Sequence, residues 1–544
     1  KNKYIYINMS IKKKHISYPD TQRFSKIITD YLSKEKTLKP FYNKSLSIKN
    51  LKNQAQSKID LFSDSNRNVL VESLYTQYKN IQTSLAVKKN LERLSKKNSV
   101  TVTTGHQLNL MTGPLYFIIK IISTINIVEK LNSLNKEINF IPVYWMASED
   151  HDFDEISSFN YKSNKIKWKT NQTGSVGKMN LDELKPVLDY FEKKLDYSKN
   201  SEEIIELIKL SYRSSKNLAE ATLKIVNSLF GNYGLIIVDA DSKSLKNVFK
   251  TYMKLEILNN NCYDLVNYQI ESLKKDYNSK FKPQVNPRLI NLFYLNKGGR
   301  FRIEKKKNQF VLIGSDKKFS ENDLINEVEN FPENFSPNVL MRPLYQEVIL
   351  PNIGYVGGGA ELSYWFQLNK YFKNQKVTFP ILILRNSLLL INSKLSKKID
   401  KLKINIKDLF LNKNLLISKV IKENSKISLD LDFLKKQLEF QFDYLEDLIE
   451  KTDKSFKGAV LAQKKKQNKG ILNLEKKLLK SQKRKMVDYV QRINLIYESI
   501  YPNDDLQERQ LNFFELYESE GEIILSNLKK AIDPFNENFT ILNY

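Results

Sequence analysis

Apolar residues recur at helical spacing along the first hundred residues, with polar links between the segments. Tyr18-Pro19-Asp20 opens one predicted helix, and the stretch from Asp60 to Lys96 carries leucine, valine, tyrosine and isoleucine at helical intervals. The pattern changes at Ser99–Thr104, a short β-branched segment that predicts a strand. We therefore expect residues 1–98 to form an N-terminal helical part of a larger core.

A strand–helix–strand unit begins at this point. Gly113 and Pro114 precede an apolar helical face that extends to about Leu134, and proline suits the first turn because its missing N–H is not needed there. The next segment, Phe140–Ala147, is nearly all apolar, as expected for a parallel strand covered on both faces. Further strands are predicted at Leu235–Val238, Val348–Leu350, Gly354–Val356 and Val377–Leu384.

This order of elements predicts an α/β fold with a Rossmann-like parallel sheet over residues 99–386. Insertions are expected at about 157–232 and 243–340, the first rich in hairpins and the second containing a small antiparallel meander near residues 290–315. Residues 387–500 consist mostly of helix formers with leucine and isoleucine three or four positions apart, which predicts a helical coiled-coil domain. Residues 501–544 are expected to form a helical segment that packs back on the core.

Composition adds limits on the class of protein. The 544 residues are 41% apolar, enough for a sizeable core, and the single cysteine, Cys262, excludes an intrachain disulfide and fits a reducing, cytoplasmic location. No run of about 18 apolar residues occurs, so no membrane span is expected. The net charge of +27 comes mainly from lysines spread along the chain. We therefore favour a solvated surface over a nucleic-acid partner.

Four loops follow predicted strands and should meet at one edge of the sheet, where such folds bind ligands. They are Gly105–Pro114, Glu149–Glu155, Asp239–Asp241 and Gly357–Glu361. In the first loop, a helix beginning near Gly113 would offer free N–H groups to an anion. The spacing matches neither a P-loop nor the dinucleotide-binding fingerprint. The aspartates of the third loop could bind a ribose hydroxyl or cap a helix.

The second loop concentrates acid–base chemistry. Five carboxylates and His151 lie within the seven residues from Glu149 to Glu155, after a buried strand and beside aromatic side chains. A solvated charge run is the ordinary explanation, but two of the three histidines of the chain, His106 and His151, fall in these candidate loops. An alternative is a metal-dependent hydrolase or nucleotidyltransferase that uses a cluster of His106, His151 and Asp152.

A third group of candidates lies in the last part of the predicted core. Glycines before a helix allow a backbone to approach a ligand closely, and the aromatic pair that follows them could stack on a ligand or pack in the core. The candidate ligand-binding residues of this region are Gln346, Gly357, Gly358, Glu361, Tyr364, Trp365 and Arg385.

These segments together resemble a known family, the cysteine-adding enzymes of bacillithiol biosynthesis, from about Ser17 to the C-terminus. The most specific signature is the run from Pro142 to Glu155, PVYWMASEDHDFDE. The remaining signatures are Thr103-Thr104-Gly105-His106-Gln107, Thr112-Gly113-Pro114-Leu115-Tyr116, Arg342-Pro343 with Gln346-Glu347, Tyr355-Val356-Gly357-Gly358 with Glu361 and Tyr364-Trp365, and Pro502-Asn503 with Leu506-Gln507-Glu508-Arg509. Two positions depart from the family's pattern: His106 stands where many relatives have Gln, and Gly359-Ala360 where Pro-Gly is commoner.

The resemblance implies a core similar to nucleotidyltransferase and class I aminoacyl-tRNA synthetase folds, with connecting-peptide insertions and a C-terminal coiled coil that forms a homodimer. It implies a ligase that joins the carboxyl group of cysteine to the amino group of glucosaminyl-malate. Amide formation requires an activated carboxyl group, so ATP with Mg is the expected co-substrate, and no tightly bound metal is expected.

On this basis we assign candidate roles to the loops. His151 is the candidate general base, and Asp150 or Asp152 would accept hydrogen bonds from the substrate amine, with Glu149 in the same catalytic group. The first loop, through Gly105, His106, Gln107 and Gly113, would bind substrate or nucleotide.

Overall fold

The computed structural model describes residues 12–296, 298–449, 451–452 and 454–544. Residues 1–11 of the predicted N-terminal part lie outside these ranges. The described N-terminal region begins with a strand that the sequence pattern did not predict, followed by helices, one of which begins at Tyr18 as expected. Its elements are β1 (Lys12–Ser17), α1 (Tyr18–Thr21), α2 (Lys26–Leu32), α3 (Ile48–Leu61), α4 (Asp64–Tyr78) and α5 (Leu85–Leu94).

The first half of the core contains three strands of the central sheet and the first insertion. Its elements are β2 (Ser99–His106), α6 (Tyr116–Leu134), β3 (Asn139–Met146), α7 (Phe153–Ile156), β4 (Ser158–Tyr161), β5 (Asn164–Lys167), α8 (Lys185–Glu192), α9 (Lys199–Ile208), α10 (Leu218–Phe230) and β6 (Ile236–Asp239).

The second half contains the antiparallel meander and the last two strands of the central sheet. Its elements are α11 (Lys243–Asn259), α12 (Asn261–Ser272), β7 (Leu292–Asn296), β8 (Gly299–Lys306), β9 (Gln309–Leu312), β10 (Lys318–Phe319), α13 (Glu321–Asn330), β11 (Phe335–Pro337), α14 (Arg342–Ile349), β12 (Asn352–Gly357), α15 (Gly359–Trp365), α16 (Asn369–Asn374) and β13 (Ile381–Leu384).

The C-terminal region is helical between two strands. Its elements are β14 (Leu388–Ile391), α17 (Ser393–Lys401), α18 (Lys413–Asn424), α19 (Asp432–Ile449), α20 (Lys454–Lys485), α21 (Val487–Ile500), α22 (Gln507–Gln510), α23 (Phe513–Glu520), α24 (Ile523–Ala531) and β15 (Asn538–Asn543). Helices α19 and α20 are consecutive and pack on each other through Leu438, Phe442 and Val460. None of the helices in the described ranges combines the length and the apolarity that a membrane crossing requires.

The central sheet confirms the predicted Rossmann-like architecture. Its five strands run parallel in the order β13-β12-β2-β3-β6. The side chains of β3 are buried almost without exception, because helices cover both faces of the sheet. The chain builds β2, β3 and β6 in one direction and then returns to place β12 on the other side of β2. The junction of β2 and β12 is therefore the point where the strand order reverses.

Two local predictions are wrong. The apolar stretch Val348–Leu350 is no strand: Val348 and Ile349 end helix α14, because a short apolar run does not by itself separate a strand from a buried helix. The region after Ser387 was expected to be almost entirely helical, but Leu388–Ile391 forms β14 and pairs with β15, which in turn pairs with β1. The segment after residue 500 thus contributes a strand as well as helices.

Candidate active site

A cavity of about 500 Å³ opens at the carboxyl edge of the central sheet, at the junction of β2 and β12. The antiparallel sheet of the second insertion covers it through Phe293 and Arg300. Seven of the candidate catalytic and ligand-binding residues chosen from the sequence line this cavity: Gly105, His106, Gln107, Glu149, Asp150, Glu361 and Tyr364. The convergence of separate loops at one sheet edge is what the strand order requires.

The floor of the cavity is held by a buried ion pair. Lys120, which is 1% exposed, lies with its Nζ 2.8 Å and 3.0 Å from the two carboxylate oxygens of Glu361, and it also donates to the Gly105 carbonyl. The Tyr355 hydroxyl donates to Glu361 Oε2 at 2.6 Å, and the Gly358 N–H donates to Oε1 at 3.0 Å. Burial alone would raise the pKa of Glu361, but Lys120 and these hydrogen bonds lower it to about 2.

Two cations in the cavity wall have no carboxylate within 4 Å among the described residues. Arg342 donates through Nη1 to the neutral Gln346 side chain at 3.0 Å and lies near the Tyr364 hydroxyl. Arg288 lies at the mouth, 5.9 Å from the Phe293 ring centroid. Because neither guanidinium group has a carboxylate in direct contact among the described residues, this wall suits an anionic ligand.

Asp150 is an ionised carboxylate of the cavity lining. Its Oδ1 accepts from the His151 N–H at 2.8 Å and from Arg300 Nη1 at 3.2 Å, and its Oδ2 accepts from Gln107 at 3.2 Å. Burial would raise the pKa of Asp150, but the His151 side chain, the charge of Arg300, Gln107 and the His151 N–H together hold it well below its usual range. The first insertion fixes the loop from outside, because the Val176 N–H donates to the Asp150 carbonyl at 2.7 Å.

His151 is exposed and lies beside the cavity rather than in its lining, with its ring tilted against Phe293. Its Nδ1 is 3.3 Å from Asp150 Oδ1 and 3.1 Å from Arg300 Nη1. The first contact requires a proton on Nδ1, and the second requires a free lone pair there. If Nδ1–H donates to Asp150, Nε2 carries no proton and can accept one from a substrate. If Nδ1 instead accepts from Arg300, the ring proton is on Nε2.

Glu149 belongs to a buried charge network that supports the acidic loop. Its carboxylate lies 3.0 Å from Lys246 Nζ, which is 2.6 Å from Asp241 Oδ1, and Asp241 in turn contacts Lys178 at 2.7 Å. Burial raises the pKa of Glu149 despite the lysine. Asp241, which follows β6, therefore holds the acidic loop through Lys246 and Glu149. Asp239 at the end of β6 holds the same loop by accepting a hydrogen bond from Ser148.

His106 is a packed residue of the cavity wall. Its ring stacks on Phe117 at 4.9 Å between centroids, and its Nε2 lies 2.9 Å from the Asn109 amide nitrogen. Burial, with the nearby charge of Lys120, lowers the pKa of His106 to about 3, so the ring is neutral and Nε2 accepts from the amide.

Asp152 is exposed and caps α7 by accepting from the Glu155 N–H at 3.4 Å. Asn109 occupies Nε2 of His106, and Asp152 is an exposed helix cap. The structure therefore does not favour a metal cluster of His106, His151 and Asp152. Among the described residues, no three His, Cys, Asp or Glu side chains are grouped to hold a metal ion.

Several predicted ligand-binding residues lie behind the cavity wall. Trp365 is buried against Tyr355 and Phe372 in an aromatic cluster. Gly357 is required for packing, since a Cβ there would lie 2.8 Å from Leu362, and the Gly358 N–H is engaged by Glu361. Neither glycine is part of the cavity lining.

Arg385 pairs with Glu508 at 2.7 Å and joins the end of β13 to α22. Helix α6 begins at Tyr116 rather than Gly113, and the Leu115 N–H donates to the Leu511 carbonyl at 2.8 Å. The C-terminal segment thus covers the helix end that was expected to bind an anion.

A second cavity of about 510 Å³ lies across the wall formed by Gln107 and Tyr116. Its lining includes Gly113 and the basic side chains of Lys165 and Arg509. The two cavities thus share a partition, and the C-terminal segment forms part of the second one.

Sequence reasoning assigned no role to the lysine and arginines that line the first cavity, Lys120, Arg288, Arg300 and Arg342, although Arg342 lies in one of the family signatures. One local signal was available: Lys120 is the only charged residue in the apolar first half of α6, and a lone lysine in a buried helix needs a partner. Arg288 and Arg300 carried no such signal, because they reach the cavity from an inserted region.

Comparison with known proteins agrees with this architecture. Two family models match the chain: the N-terminal Rossmann-like domain of bacillithiol biosynthesis BshC over residues 11–386, and the C-terminal coiled-coil domain of BshC over residues 388–544. Proteins named "Putative cysteine ligase BshC" from Flavobacterium johnsoniae and Flavobacterium psychrophilum are each 44% identical over 97% of this chain and 99% of their own length. The protein of the same name from Christiangramia forsetii is 43% identical over 97% of this chain and 98% of its own.

Among solved structures, a "putative arginyl t-RNA synthetase" from Campylobacter jejuni aligns with 86% of this chain and 98% of its own at 9% identity. Its TM-score of 0.20 is too low to support an argument. The two family models together span nearly the whole sequence, and the relatives match it along almost their full length. The chain therefore belongs to the bacillithiol biosynthesis BshC family and is a ligase.

Proposed function

We propose that this ligase joins the carboxyl group of cysteine to the amino group of glucosaminyl-malate in the cavity at the β2–β12 junction. The observation that carries the proposal is the division of charge in that cavity. Arg288 and Arg342 have no carboxylate partner within 4 Å among the described residues, whereas Asp150, which lines the same cavity, is held ionised. Glucosaminyl-malate carries two carboxylates and one amine, which is the complementary pattern.

The malate carboxylates are assigned to the two unpartnered guanidinium groups. A guanidinium presents a planar fork of donors that matches a carboxylate, and its charge persists at any physiological pH. Burial would lower the pKa of Arg342, but Tyr364, Tyr355 and the nearby charge of Glu361 leave it raised, so this cation stays charged inside the protein. The ion pair between Lys120 and Glu361 is already satisfied and is assigned a supporting role.

The amino group is assigned to Asp150 and His151. A carboxylate with so low a pKa is a weak proton acceptor and a good hydrogen-bond acceptor, so Asp150 orients the nitrogen. His151 removes the proton through Nε2 when its Nδ1–H donates to Asp150. In the amide-forming step the nitrogen attacks the activated cysteine carbonyl, the bond from that carbon to its leaving oxygen breaks, and one proton passes to His151.

ATP with Mg is proposed as the co-substrate, because a free carboxylate does not react with an amine without activation. The nucleotide is assigned to the second cavity, whose lining combines the cations Lys165 and Arg509, the latter 3.8 Å from Asp505, with the carboxylate of Glu155. Gly113, with a positive φ of 61°, lines this cavity, and a Cβ there would lie 2.5 Å from Asn109. Gln107 and Tyr116 would then separate the nucleotide from glucosaminyl-malate until cysteine is activated.

A cytoplasmic homodimer through the coiled-coil helices completes the proposal. Helix α19 exposes Phe433, Phe440 and Tyr444 at 71%, 78% and 65%, and such apolar side chains favour burial against a second copy. No nucleic-acid partner is proposed. Analytical ultracentrifugation would show a dimer, and a monomer at micromolar concentration would contradict this part of the proposal.

The reaction is tested by mass spectrometry of the purified protein with cysteine, glucosaminyl-malate and ATP·Mg, and with each component omitted in turn. The proposal predicts the cysteinyl amide only in the complete mixture. Formation of the amide without ATP would refute the nucleotide assignment. Absence of amide with folded protein and intact substrates would refute the proposed reaction.

A further inference from the structure

A line of buried polar side chains extends from the cavity into the interior of the core. It begins at Arg342 in the cavity wall and passes through Gln346 and Glu347, on the same helix α14, to Lys58 on α3. Gln346 is 0% exposed, Glu347 is 1% exposed and Lys58 is 4% exposed. A buried polar group is stable only when it is hydrogen-bonded, so this line must be satisfied internally.

The contacts along the line have a fixed direction. Arg342 Nη1 donates to Gln346 Oε1 at 3.0 Å, and Gln346 Nε2 donates to Glu347 Oε1 at 2.9 Å. The acceptor on Glu347 therefore fixes which way the Gln346 amide points, and the amide oxygen faces the guanidinium as a result. Asn352 Nδ2 donates to the same Glu347 oxygen at 2.6 Å and fixes it from β12.

Lys58 contacts Glu347 on the side away from the cavity and partly balances its negative charge. Lys58 Nζ donates to the Glu347 carbonyl at 3.0 Å and lies 3.9 Å from Oε2, which has no hydrogen-bond partner among the described residues. Burial raises the pKa of Glu347 to about 7, against the opposing effects of Lys58, Asn352 and Gln346. A proton would bind the unpartnered Oε2, so Oε1 remains an acceptor in either state and the direction of the line does not change.

We infer that Gln346 is a positioning residue that holds the Arg342 guanidinium ready for an anionic ligand, and that Glu347 and Lys58 keep Gln346 in the orientation this requires. A carboxylate at position 346 would bind the guanidinium directly and neutralise it. A neutral amide instead orients Arg342 and leaves its charge available in the cavity. The inference depends on the proposed function only for the identity of the anion, a malate carboxylate.

The test uses L-malate as the probe, with its affinity for the full-length protein measured by calorimetry. Gln346→Leu removes the acceptor, and Gln346→Glu neutralises the guanidinium, so both should weaken malate binding about tenfold or more. Gln269→Leu is the matched control. Gln269 is another buried glutamine, but it donates to the Phe366 carbonyl and does not line the cavity. Malate affinity of this control should equal that of the wild type.

A second pair of variants isolates the role of Glu347. Glu347→Gln keeps an acceptor oxygen and removes a negative charge, so malate should bind as tightly as to the wild type or tighter. Glu347→Leu removes the acceptor, frees the Gln346 amide to rotate, and should weaken malate about as much as Gln346→Leu. Equal affinities for Glu347→Gln and Glu347→Leu would overturn the inference.

Crystal structures of the wild type and Gln346→Leu complete the experiment and keep the two proposals separate. We expect the guanidinium to leave its wild-type position in the variant. An unmoved guanidinium would overturn the positioning role whether or not malate binds. Failure of the wild type to bind malate, with the guanidinium displaced in the variant, would instead count against the assigned substrate.

Discussion

Replacement of Lys120 by methionine should destabilise the protein through the carboxylate that it leaves behind. Lys120 is 1% exposed, and its Nζ lies within 3.0 Å of both oxygens of Glu361, whose side chain is 26% exposed toward the cavity. Removal of one partner of a buried ion pair costs about 3–5 kcal/mol. The pKa of Glu361 gives a similar figure. A fall from 4.5 to about 2 on folding corresponds to about 3 kcal/mol at neutral pH.

The pKa shift of Glu361 indicates that its charge is stabilised on folding, whereas that of Lys120 indicates a charge that is destabilised. Burial lowers the pKa of Lys120, so its charge is held at a desolvation cost that methionine removes. Tyr355 and the Gly358 N–H also continue to bind Glu361 after the substitution. We therefore expect the lower end of the range, a loss of about 2–3 kcal/mol in the free energy of unfolding at pH 7.

The pH dependence follows from the sign of the Glu361 shift. Its folded-state pKa is depressed, so the stabilisation is complete above the unfolded pKa of 4.5 and disappears as the pH falls toward 2. Urea unfolding curves of the wild type and Lys120→Met should thus differ fully at pH 7 and converge below pH 4.5. The double variant Lys120→Met/Glu361→Gln should regain part of the loss, because no unpaired charge remains buried.

Lys185→Met is the control, since Lys185 pairs with Asp182 on the surface and both side chains are more than half exposed. That pair should contribute less than about 0.5 kcal/mol. A Lys120→Met protein that is as stable as Lys185→Met at pH 7, or a loss that the Glu361→Gln substitution does not relieve, would refute the reasoning.

Three further predictions concern activity and are each checked by steady-state kinetics of amide formation. Arg342→Met should raise KM for glucosaminyl-malate about thirtyfold, because loss of a charged contact costs about 2 kcal/mol, while KM for cysteine stays unchanged; an unaltered KM for glucosaminyl-malate contradicts the assignment. His151→Ala should lower kcat about a hundredfold with an unchanged melting temperature, since the side chain is exposed, and wild-type turnover defeats the base assignment. His106→Gln should leave the kcat profile between pH 5 and 8 unaltered, because the His106 pKa of about 3 keeps it neutral there; loss of an ionisation in that range would show otherwise.

Local sequence patterns were sufficient for the parts of the fold that depend on neighbouring residues. Strands β2 and β3 were recognisable from short β-branched or apolar runs, and helix α6 from a long apolar face. The loops that follow parallel strands had to meet at one edge of the sheet, which predicted the place of the cavity. Glu149, Asp150 and Glu361 could be chosen on that basis alone.

Features that depend on distant residues were not predictable in this way. Strand β1 pairs with β15 across most of the chain, β14 pairs with β15 across the C-terminal helical region, and β1 is too polar to resemble a buried strand. Arg300 reaches Asp150 from a meander 150 residues away, and no local pattern marks it as part of the site. Gln346 was chosen as a ligand contact, but the structure shows that it binds Arg342 instead.

The central claim is that glucosaminyl-malate binds in the cavity between Arg342 and Asp150. A crystal structure of the protein with this compound tests it most directly. The account predicts one malate carboxylate on the Arg342 guanidinium, the second on Arg288, and the amino group within hydrogen-bonding distance of Asp150. A compound bound in the second cavity, or bound here with its amine toward the guanidinium groups, would contradict the account.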